Sequence, residues 1–151
     1  SVPSGVDTLT LERLQTLRSY KAKPDWDRRL PAHVTAQGKA MCAFDPVLAQ
    51  RRIDAGLPAL TPNSITDPAQ FRAELQTISR RGYATATGEA VPGISSVAAP
   101  VIDTRGHVVA ALAINGPPEE MLPASARMGG LVQAAARRLS KDLRPQYASD
   151  R

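Results

Sequence analysis

The chain has 151 residues, about the length of one domain. A domain of this size buries roughly 70% of the surface that its unfolded chain exposes, so it needs no disulfide or metal for stability. Its single cysteine excludes an intramolecular disulfide and the four-ligand zinc patterns. No apolar run approaches the roughly 20 residues of a membrane-spanning helix, and no signal peptide is recognised. We therefore expect a cytoplasmic protein that does not contact a membrane.

The formal charge of +5 alone would favour a nucleic-acid-binding surface. Much of the excess, however, lies in Arg-Arg pairs scattered along the chain, at 28–29, 51–52, 80–81 and 137–138. The last two pairs fall near the C-terminal turns of predicted helices, where positive charge offsets the helix dipole. Two Phe, three Tyr and one Trp are too few for a base-stacking platform. The composition therefore favours a structural role for these arginines.

The N-terminal residues predict extended structure. They are typical of the end of one strand, a Pro-Ser-Gly turn, and a strand over Asp7–Leu14 in which residue types alternate with period two. Residues 15–23 predict a further strand. A loop over 24–27, containing Trp26, follows it. Leu30-Pro31 ends an extended segment, because a proline disfavours the helical region for the residue before it.

Three helices are predicted between residues 35 and 82. Thr35 can cap a helix that runs to Phe44, and Gly38 gives that helix a face without a side chain. Asp45-Pro46 starts a second helix that runs to about Ala55, before a proline-rich loop over 57–64. Thr66-Asp67-Pro68 starts a third helix, which Arg80-Arg81-Gly82 closes. Its apolar stripe consists of Phe71, Leu75 and Ile78.

The remaining chain predicts three strands and a helix. Tyr83–Thr87 is the first strand. Residues 94–102 and 107–115 form a hairpin around the turn at 103–106, and their apolar character is typical of central strands. A helix over Pro123–Leu143 follows, and its predicted buried face consists of Met128, Leu131, Val132, Ala135 and Leu139. Strands joined by hairpins are antiparallel, so we expect an α+β domain with helices packed on one central antiparallel sheet of five to six strands.

No catalytic, metal or cofactor motif is recognised. His33 and His107 lie beside a helix and a turn, where a solvated or backbone-bonded imidazole is common. Cys42 would need a base and an electropositive setting to act as a nucleophile, so buried packing is the expected role. The segment AQGKA shares a Gly-Lys pair with phosphate-binding loops. However, His33 and Ala40 stand where that pattern requires a glycine and a hydroxyl side chain.

Four segments together carry a resemblance to a known family. They are LPAHVTAQGKAMCAF (30–44), LTPNSITDPAQFRAELQTISRRGYA (60–84), VPGISSVAAPVIDTRGHVVAALAINGP (91–117) and LVQAAARRLS (131–140). In this order they resemble the effector-binding domain of IclR-type bacterial transcriptional regulators. The resemblance implies a GAF-like (profilin-like) fold, a small-molecule metabolite as effector, and a homodimer or homotetramer. It also implies that residues 1–151 form a single effector-binding domain. DNA would then be bound only through a winged helix-turn-helix domain which, with its linker helix, is absent from this chain.

The resemblance also implies a ligand pocket between the sheet and the helix that begins near Thr35. A sensor pocket combines apolar walls with a few converging polar groups. The N–H groups at the first helical turn would bind the ligand, and Ser96 and Asn115 would supply buried polar groups that need partners. The implied effector-binding residues are Ala22, Leu30, Ala36, Gln37, Ala86, Ile94, Ser96, Ala113 and Asn115.

This chain differs from family members that sense small oxo-acids. Those members tend to carry serines at the positions of Ala113 and Asn115, and an acidic residue in the strand that here reads Ala84–Thr87. The differences predict a larger or more apolar effector, aromatic or an organic acid with an apolar body. The pocket is expected to be a mostly apolar chamber. Trp26 would be a lid or a subunit contact. Two alternatives remain open: a small-molecule enzyme using Ser96 or Cys42, and a dimerisation module whose core is filled.

Overall fold

A computed structural model of the chain describes residues 1–14 and 29–143. The predicted strand at 15–23, Trp26 and Ala22 lie outside these residues. The strands of the described part are β1 (Val2–Ser4), β2 (Asp7–Leu9), β3 (Arg29–Pro31), β4 (Ala84–Thr87), β5 (Ser95–Ile102) and β6 (Val108–Gly116). Its helices are α1 (Ala36–Phe44), α2 (Pro46–Asp54), α3 (Pro68–Arg81), α4 (Pro118–Met121) and α5 (Ser125–Asp142), with a 3₁₀ turn over Ala32–Val34.

The α+β class is confirmed, but the single sheet of five to six strands is wrong. The described strands form two three-stranded antiparallel sheets, β1-β2-β3 and β4-β5-β6. Two backbone hydrogen bonds join the sheets, because Ser1 and Ala111 exchange N–H and C=O groups at 3.0 and 2.8 Å. Within the β4-β5-β6 sheet, β6 lies at the edge, so the prediction of a central strand is wrong for β6. It is correct for β5, which pairs with both neighbours.

The helices of the first half begin and end where the sequence predicts. The Asp45 carboxylate caps α2 by accepting from the N–H groups of Val47 and Leu48, at 3.1 and 3.0 Å. Asp67 caps α3 by accepting from Gln70 N–H at 2.7 Å. Gly82 ends α3 with a φ of 83°, a left-handed conformation that glycine adopts without steric cost.

The strand over residues 7–14 is shorter than predicted, and its polar residues form the buried face. The structure ends β2 at Leu9. Thr8 is buried and its hydroxyl donates to Leu30 O at 3.2 Å, whereas Leu11 is mostly exposed. The period-two alternation is thus real, but its polar members point inward at β2.

Two apolar layers cover the two faces of the β4-β5-β6 sheet. Alternate residues of the strands point to opposite faces, so Ala98 and Ala111 pack with α1 and α3 while Val97 packs with α5. The stripe predicted on α3 is buried in the first of these layers. Within the described part of the chain, no helix is long and apolar enough to cross a membrane.

The C-terminal helix differs from its prediction in extent and in orientation. Residues 118–121 form the separate short helix α4, and α5 begins only at Ser125. Val132 and Ala136 are buried on α5, but Leu131 is 53% exposed and Ala135 is also exposed. Apolar residues cover two adjacent faces of this helix, and spacing alone does not show which face meets the sheet.

Candidate functional site

The N-terminus of α1 is fixed by Thr35 and directed toward a pocket. The Thr35 hydroxyl accepts a hydrogen bond from Gly38 N–H at 3.0 Å, and Thr35 O accepts from Lys39 N–H at 2.9 Å. The N–H groups of Ala36 and Gln37 come first in the helix, where an α-helix offers no acceptor one turn earlier. These two donors and the helix dipole suit an anionic or carbonyl group.

Gly38 allows α1 to pack directly on the preceding 3₁₀ turn. A β-carbon at this position would overlap the carbonyl oxygen of Ala32 and lie 2.6 Å from its carbonyl carbon. Both atoms belong to the backbone and cannot turn away as a flexible side chain would. The glycine therefore sets how closely the tip of α1 approaches the residues that precede it.

A pocket lies at this tip, where both sheets meet α1. The first sheet contributes Thr8 and Leu30, and the second contributes Ala86, Ser96 and Asn115. The space open to a water molecule inside it is about 50 Å³, and one water needs about 10–15 Å³ of such space. The pocket therefore has room for only a few water molecules. Its complete described lining is Thr8, Thr10, Arg13, Leu30, Val34, Thr35, Gln37, Ala86, Glu89, Ala90, Val91, Ile94, Ser96 and Asn115.

Ser96 and Asn115 form a polar pair on the sheet wall of the pocket. They face each other directly across β5 and β6, and the Ser96 hydroxyl donates to Asn115 Oδ1 at 2.6 Å. This contact leaves the Asn115 amide NH₂ as a pair of donors on the same wall. Asn115 is exposed rather than buried as expected, because it lies near the end of an edge strand.

A buried ion pair adjoins the pocket, and its acidic member, Glu89, is part of the lining. The Lys39 side chain is buried, and its Nζ lies 2.8 Å from Oε1 of Glu89 and 3.5 Å from Oε1 of Glu74. Burial raises the pKa of Glu89, and the Lys39 ammonium opposes that rise. The second Glu89 oxygen is buried and has no hydrogen-bond partner among the described residues.

The structure brings six of the nine predicted site residues together in this pocket. They are Leu30, Gln37, Ala86, Ile94, Ser96 and Asn115. Ala36 is fully buried beneath the helix tip, and Ala113 packs against the core next to Ala111, so neither side chain lines the pocket. Ala22 lies outside the described residues.

Sequence reasoning missed most of the polar lining. Thr8, Thr10, Arg13 and Glu89 also face the pocket, and eight of its fourteen described lining residues are polar or charged. The expectation of a mostly apolar chamber is therefore wrong. The alternation in β2 was the available signal for the threonines, whereas no local pattern marks Glu89.

The histidine and cysteine of this region are structural. His33 is buried, and its Nε2 lies 2.9 Å from Pro58 O, so Nε2 carries the proton and donates to that carbonyl. Desolvation lowers the pKa of His33 and keeps the ring neutral. Burial and the nearby Asp45 raise the pKa of the Cys42 thiol to about 12. A thiol in this environment is not a nucleophile near neutral pH.

A pocket with a partly polar lining at a helix tip between two sheets is an arrangement that suits a ligand-binding domain. The family model described as bacterial transcriptional regulator IclR C-terminal matches residues 2–141. The chain therefore belongs to this family, whose C-terminal domain is the effector-binding domain of the regulators that carry it. The resemblance noted from the four sequence segments is confirmed.

Individual proteins agree with the family assignment. The chain is 37% identical over 116 residues to the glycerol operon regulatory protein of Streptomyces griseus. This match covers 75% of this chain and 46% of that protein. The chain thus spans about half the length of the curated relatives it matches. It superposes on an IclR transcriptional regulator from Silicibacter sp. TM1040 with a TM-score of 0.82 and 28% identity, covering 96% of this chain and 59% of that one.

A third comparison concerns a protein with a bound ligand. The inducer-binding domain of the PobR transcription factor from Acinetobacter, a double mutant in complex with 3-hydroxybenzoic acid, superposes with a TM-score of 0.76. The identity is 24%, and the match covers 92% of this chain and 84% of that one. At this identity the likeness establishes the fold alone.

Proposed function

We propose that this domain holds a small organic acid with an apolar body in the pocket at the tip of α1, and that binding controls a transcription regulator. The observation that carries the proposal is the convergence of two sets of donors on one pocket. Thr35 and Gln37 at the start of α1 line this pocket together with Ser96 and Asn115, so the N–H groups of the first helical turn and the Asn115 amide are the donors it offers. A carboxylate suits the helix tip, and a hydroxyl or carbonyl suits the side-chain pair.

The apolar part of the ligand would meet Leu30, Val34 and Ile94, which line the same pocket. An aromatic acid combines these features, and the structurally similar PobR domain holds 3-hydroxybenzoic acid. The strand Ala84–Thr87, of which Ala86 lines the pocket, lacks the acidic residue that oxo-acid sensors tend to carry there, and this difference favours the same kind of ligand. Arg13 adds a cation to the lining that would attract an acid.

Pockets for ligands of drug size have volumes of about 300–1,000 Å³, whereas the space here is about 50 Å³. We infer that the described form of the pocket is a closed one. Ligand binding would favour a form in which the two sheets lie farther apart at the pocket. A ligand shifts such an equilibrium only through its preference for one form, and this preference would be the signal passed to the regulator.

The same proposal covers DNA binding and the oligomeric state of the regulator. DNA would be bound by a separate winged helix-turn-helix domain, and the regulator would work as a cytoplasmic homodimer or homotetramer. Catalysis is not part of the proposal, since the pKa of the Cys42 thiol is about 12 and the Ser96 hydroxyl donates to an amide oxygen rather than to a base.

A thermal-shift screen tests the proposal. Aromatic carboxylates, including 3-hydroxybenzoate, are compared with glyoxylate and pyruvate. A ligand at a hundred times its dissociation constant adds about 2.7 kcal/mol to the free energy of unfolding. The double variant Ser96→Ala with Asn115→Leu should lose this gain and keep the unliganded melting temperature. Thr104→Ala, which removes a hydroxyl from an exposed turn, is the matched control. Equal stabilisation of the double variant and the wild type would refute the pocket.

A further inference from the structure

A second concavity lies at the opposite end of α1. It is a groove of about 470 Å³ between the C-terminal end of α1, the start of α2 and one side of α3. Its volume is similar to that of small-molecule sites, about 300–1,000 Å³, but the groove is shallow and open to solvent. None of the residues that line it lines the pocket at the tip of α1.

The floor of the groove is apolar. Ala43 from α1, Pro46 and Ala49 from α2, and Leu75 from α3 supply most of it. Ala49 and Leu75 also belong to the buried core, so the floor is held by the packing of three helices. The Ser79 hydroxyl donates to Ala43 O at 2.7 Å, which ties α3 to α1 along the groove. A rigid apolar floor suits the hydrocarbon part of a ligand.

The rim of the groove is cationic. Arg72 and Arg80 both line it and both are exposed. They lie eight residues apart on α3, which is about 12 Å along the helix axis. Arg72 donates to the amide oxygen of Gln50 at 2.9 Å and Arg80 to the hydroxyl of Thr77 at 3.2 Å. Among the described residues, no carboxylate lies within ion-pair distance of either guanidinium.

We infer that this groove is a second ligand site, which binds an organic carboxylate with an apolar body. The apolar floor would take the hydrocarbon part, and one guanidinium would bind the carboxylate through two parallel hydrogen bonds. The two guanidinium groups favour a carboxylate as the ligand, because among the described residues their hydrogen-bond partners, Gln50 and Thr77, are neutral. Neither a neutral apolar molecule nor a cation would use the rim.

Helix α1 connects the groove to the main pocket. Both concavities are lined by α1, with Gln37 at one and Cys42 at the other. The two residues are five apart, or about 7.5 Å along the helix axis. A ligand in the groove would therefore rest on the same helix whose tip forms the main pocket.

Nuclear magnetic resonance on the ¹⁵N-labelled chain tests the inference, with 4-phenylbutyrate as the probe and its amide as a neutral analogue. We expect the carboxylate to shift the backbone amide signals of Ala43 and Gln76, and the neutral amide to shift them far less. The double variant Arg72→Gln with Arg80→Gln should weaken this response about tenfold, as loss of charge-assisted hydrogen bonds implies. Arg105→Gln with Arg127→Gln, two exposed arginines elsewhere, is the matched control and should bind as the wild type does.

Two further variants make the outcome decisive. Gln76→Trp adds a large side chain to the exposed edge of the groove and should abolish the response there. Ser96→Ala with Asn115→Leu alters only the main pocket and should leave it unchanged. Shifts confined to the main pocket, or an equal response to the neutral amide, would overturn the second site. Shifts of Ala43 and Gln76 that grow with protein concentration without any probe would assign the groove to a second copy of the chain and would also overturn it.

Discussion

The ammonium group of Lys39 lies 2.8 Å from a carboxylate oxygen of Glu89, and the two side chains are only 2% and 12% exposed. Fifty residues separate them in the sequence. The pair joins the middle of α1 to the segment between β4 and β5 that lines the pocket. Glu74 on α3 approaches the same ammonium at 3.5 Å, so three parts of the chain meet at one buried cation.

Removing the cation should destabilise the fold. Lys39→Met leaves the Glu89 carboxylate buried without its partner, and breaking a buried pair in this way costs about 3–5 kcal/mol. Unfolding in guanidinium chloride at neutral pH measures the loss. Adding Glu89→Gln to Lys39→Met should restore part of it, because the buried charge is then gone. A loss in the single variant below about 1 kcal/mol, the value of an exposed pair, would contradict the burial described here.

Gly38→Ala should be much worse tolerated than an ordinary helical glycine substitution. A methyl group at this position would collide with the backbone of Ala32, so α1 would have to move away from the 3₁₀ turn. Overpacking of this kind costs about 1–3 kcal/mol or more.

Thermal unfolding measures the effect, and Gly130→Ala on α5 is the control. Nothing lies within 4 Å of its added methyl group, so that variant should gain up to about 1 kcal/mol from helix propensity. Equal stability of the two variants would refute the close approach.

The stability of the fold should fall as the pH falls below about 6.5, in part because of His33. Desolvation lowers the folded-state pKa of His33 below its ordinary value of 6.5. The unfolded chain therefore takes up a proton in a pH range where the folded chain does not, and protonation favours unfolding. His33→Gln removes this contribution, so its free energy of unfolding should fall less steeply than that of the wild type between pH 7.5 and 5.5.

The raised pKa of Glu89 changes the stability with pH in the direction opposite to that of His33. A carboxyl group whose folded-state pKa lies above its ordinary 4.5 contributes stability below that pH and loses the contribution as the pH rises. Glu89 is present in both proteins, so the difference between their two pH curves isolates His33. Parallel curves would contradict a buried neutral imidazole.

The Cys42 thiol should resist alkylation in the folded protein. It is only 2% exposed and its pKa is about 12, so almost none of it is thiolate at neutral pH. Iodoacetamide at pH 7.5, followed by mass spectrometry, should modify the unfolded chain far faster than the folded one. Rapid single modification of the folded chain would revive the alternative of a nucleophilic cysteine.

The elements that follow local rules were predicted well from the sequence. Thr35, Asp45 and Asp67 cap the helices expected of them, and Gly82 ends α3. The hairpin turn at 103–106 is also correct: Gly106 N–H donates to Asp103 O at 3.1 Å. Capping and turn chemistry act within about four residues, so the information lies within a short stretch of chain.

The features that were missed depend on contacts between distant segments. No local pattern decides whether six strands form one sheet or two, and none pairs Lys39 with Glu89. The direction of Thr8 in β2 and the exposure of Leu131 on α5 depend on which face meets the rest of the protein. Periodicity detects two faces of an element but does not choose between them. Six of the nine residues implied by the family resemblance still line the pocket, because the order of motifs reflects the whole fold.

The two hydrogen bonds between Ser1 and Ala111 join the two sheets that line the pocket. Within the described residues, the walls of the pocket belong to two different sheets, so under the proposed function a bound ligand would press the sheets apart near these hydrogen bonds. These two hydrogen bonds would then be strained, while the strand pairings inside each sheet stay intact. The separation that the Ser1–Ala111 contact permits would then limit the size of the ligand that this pocket accepts.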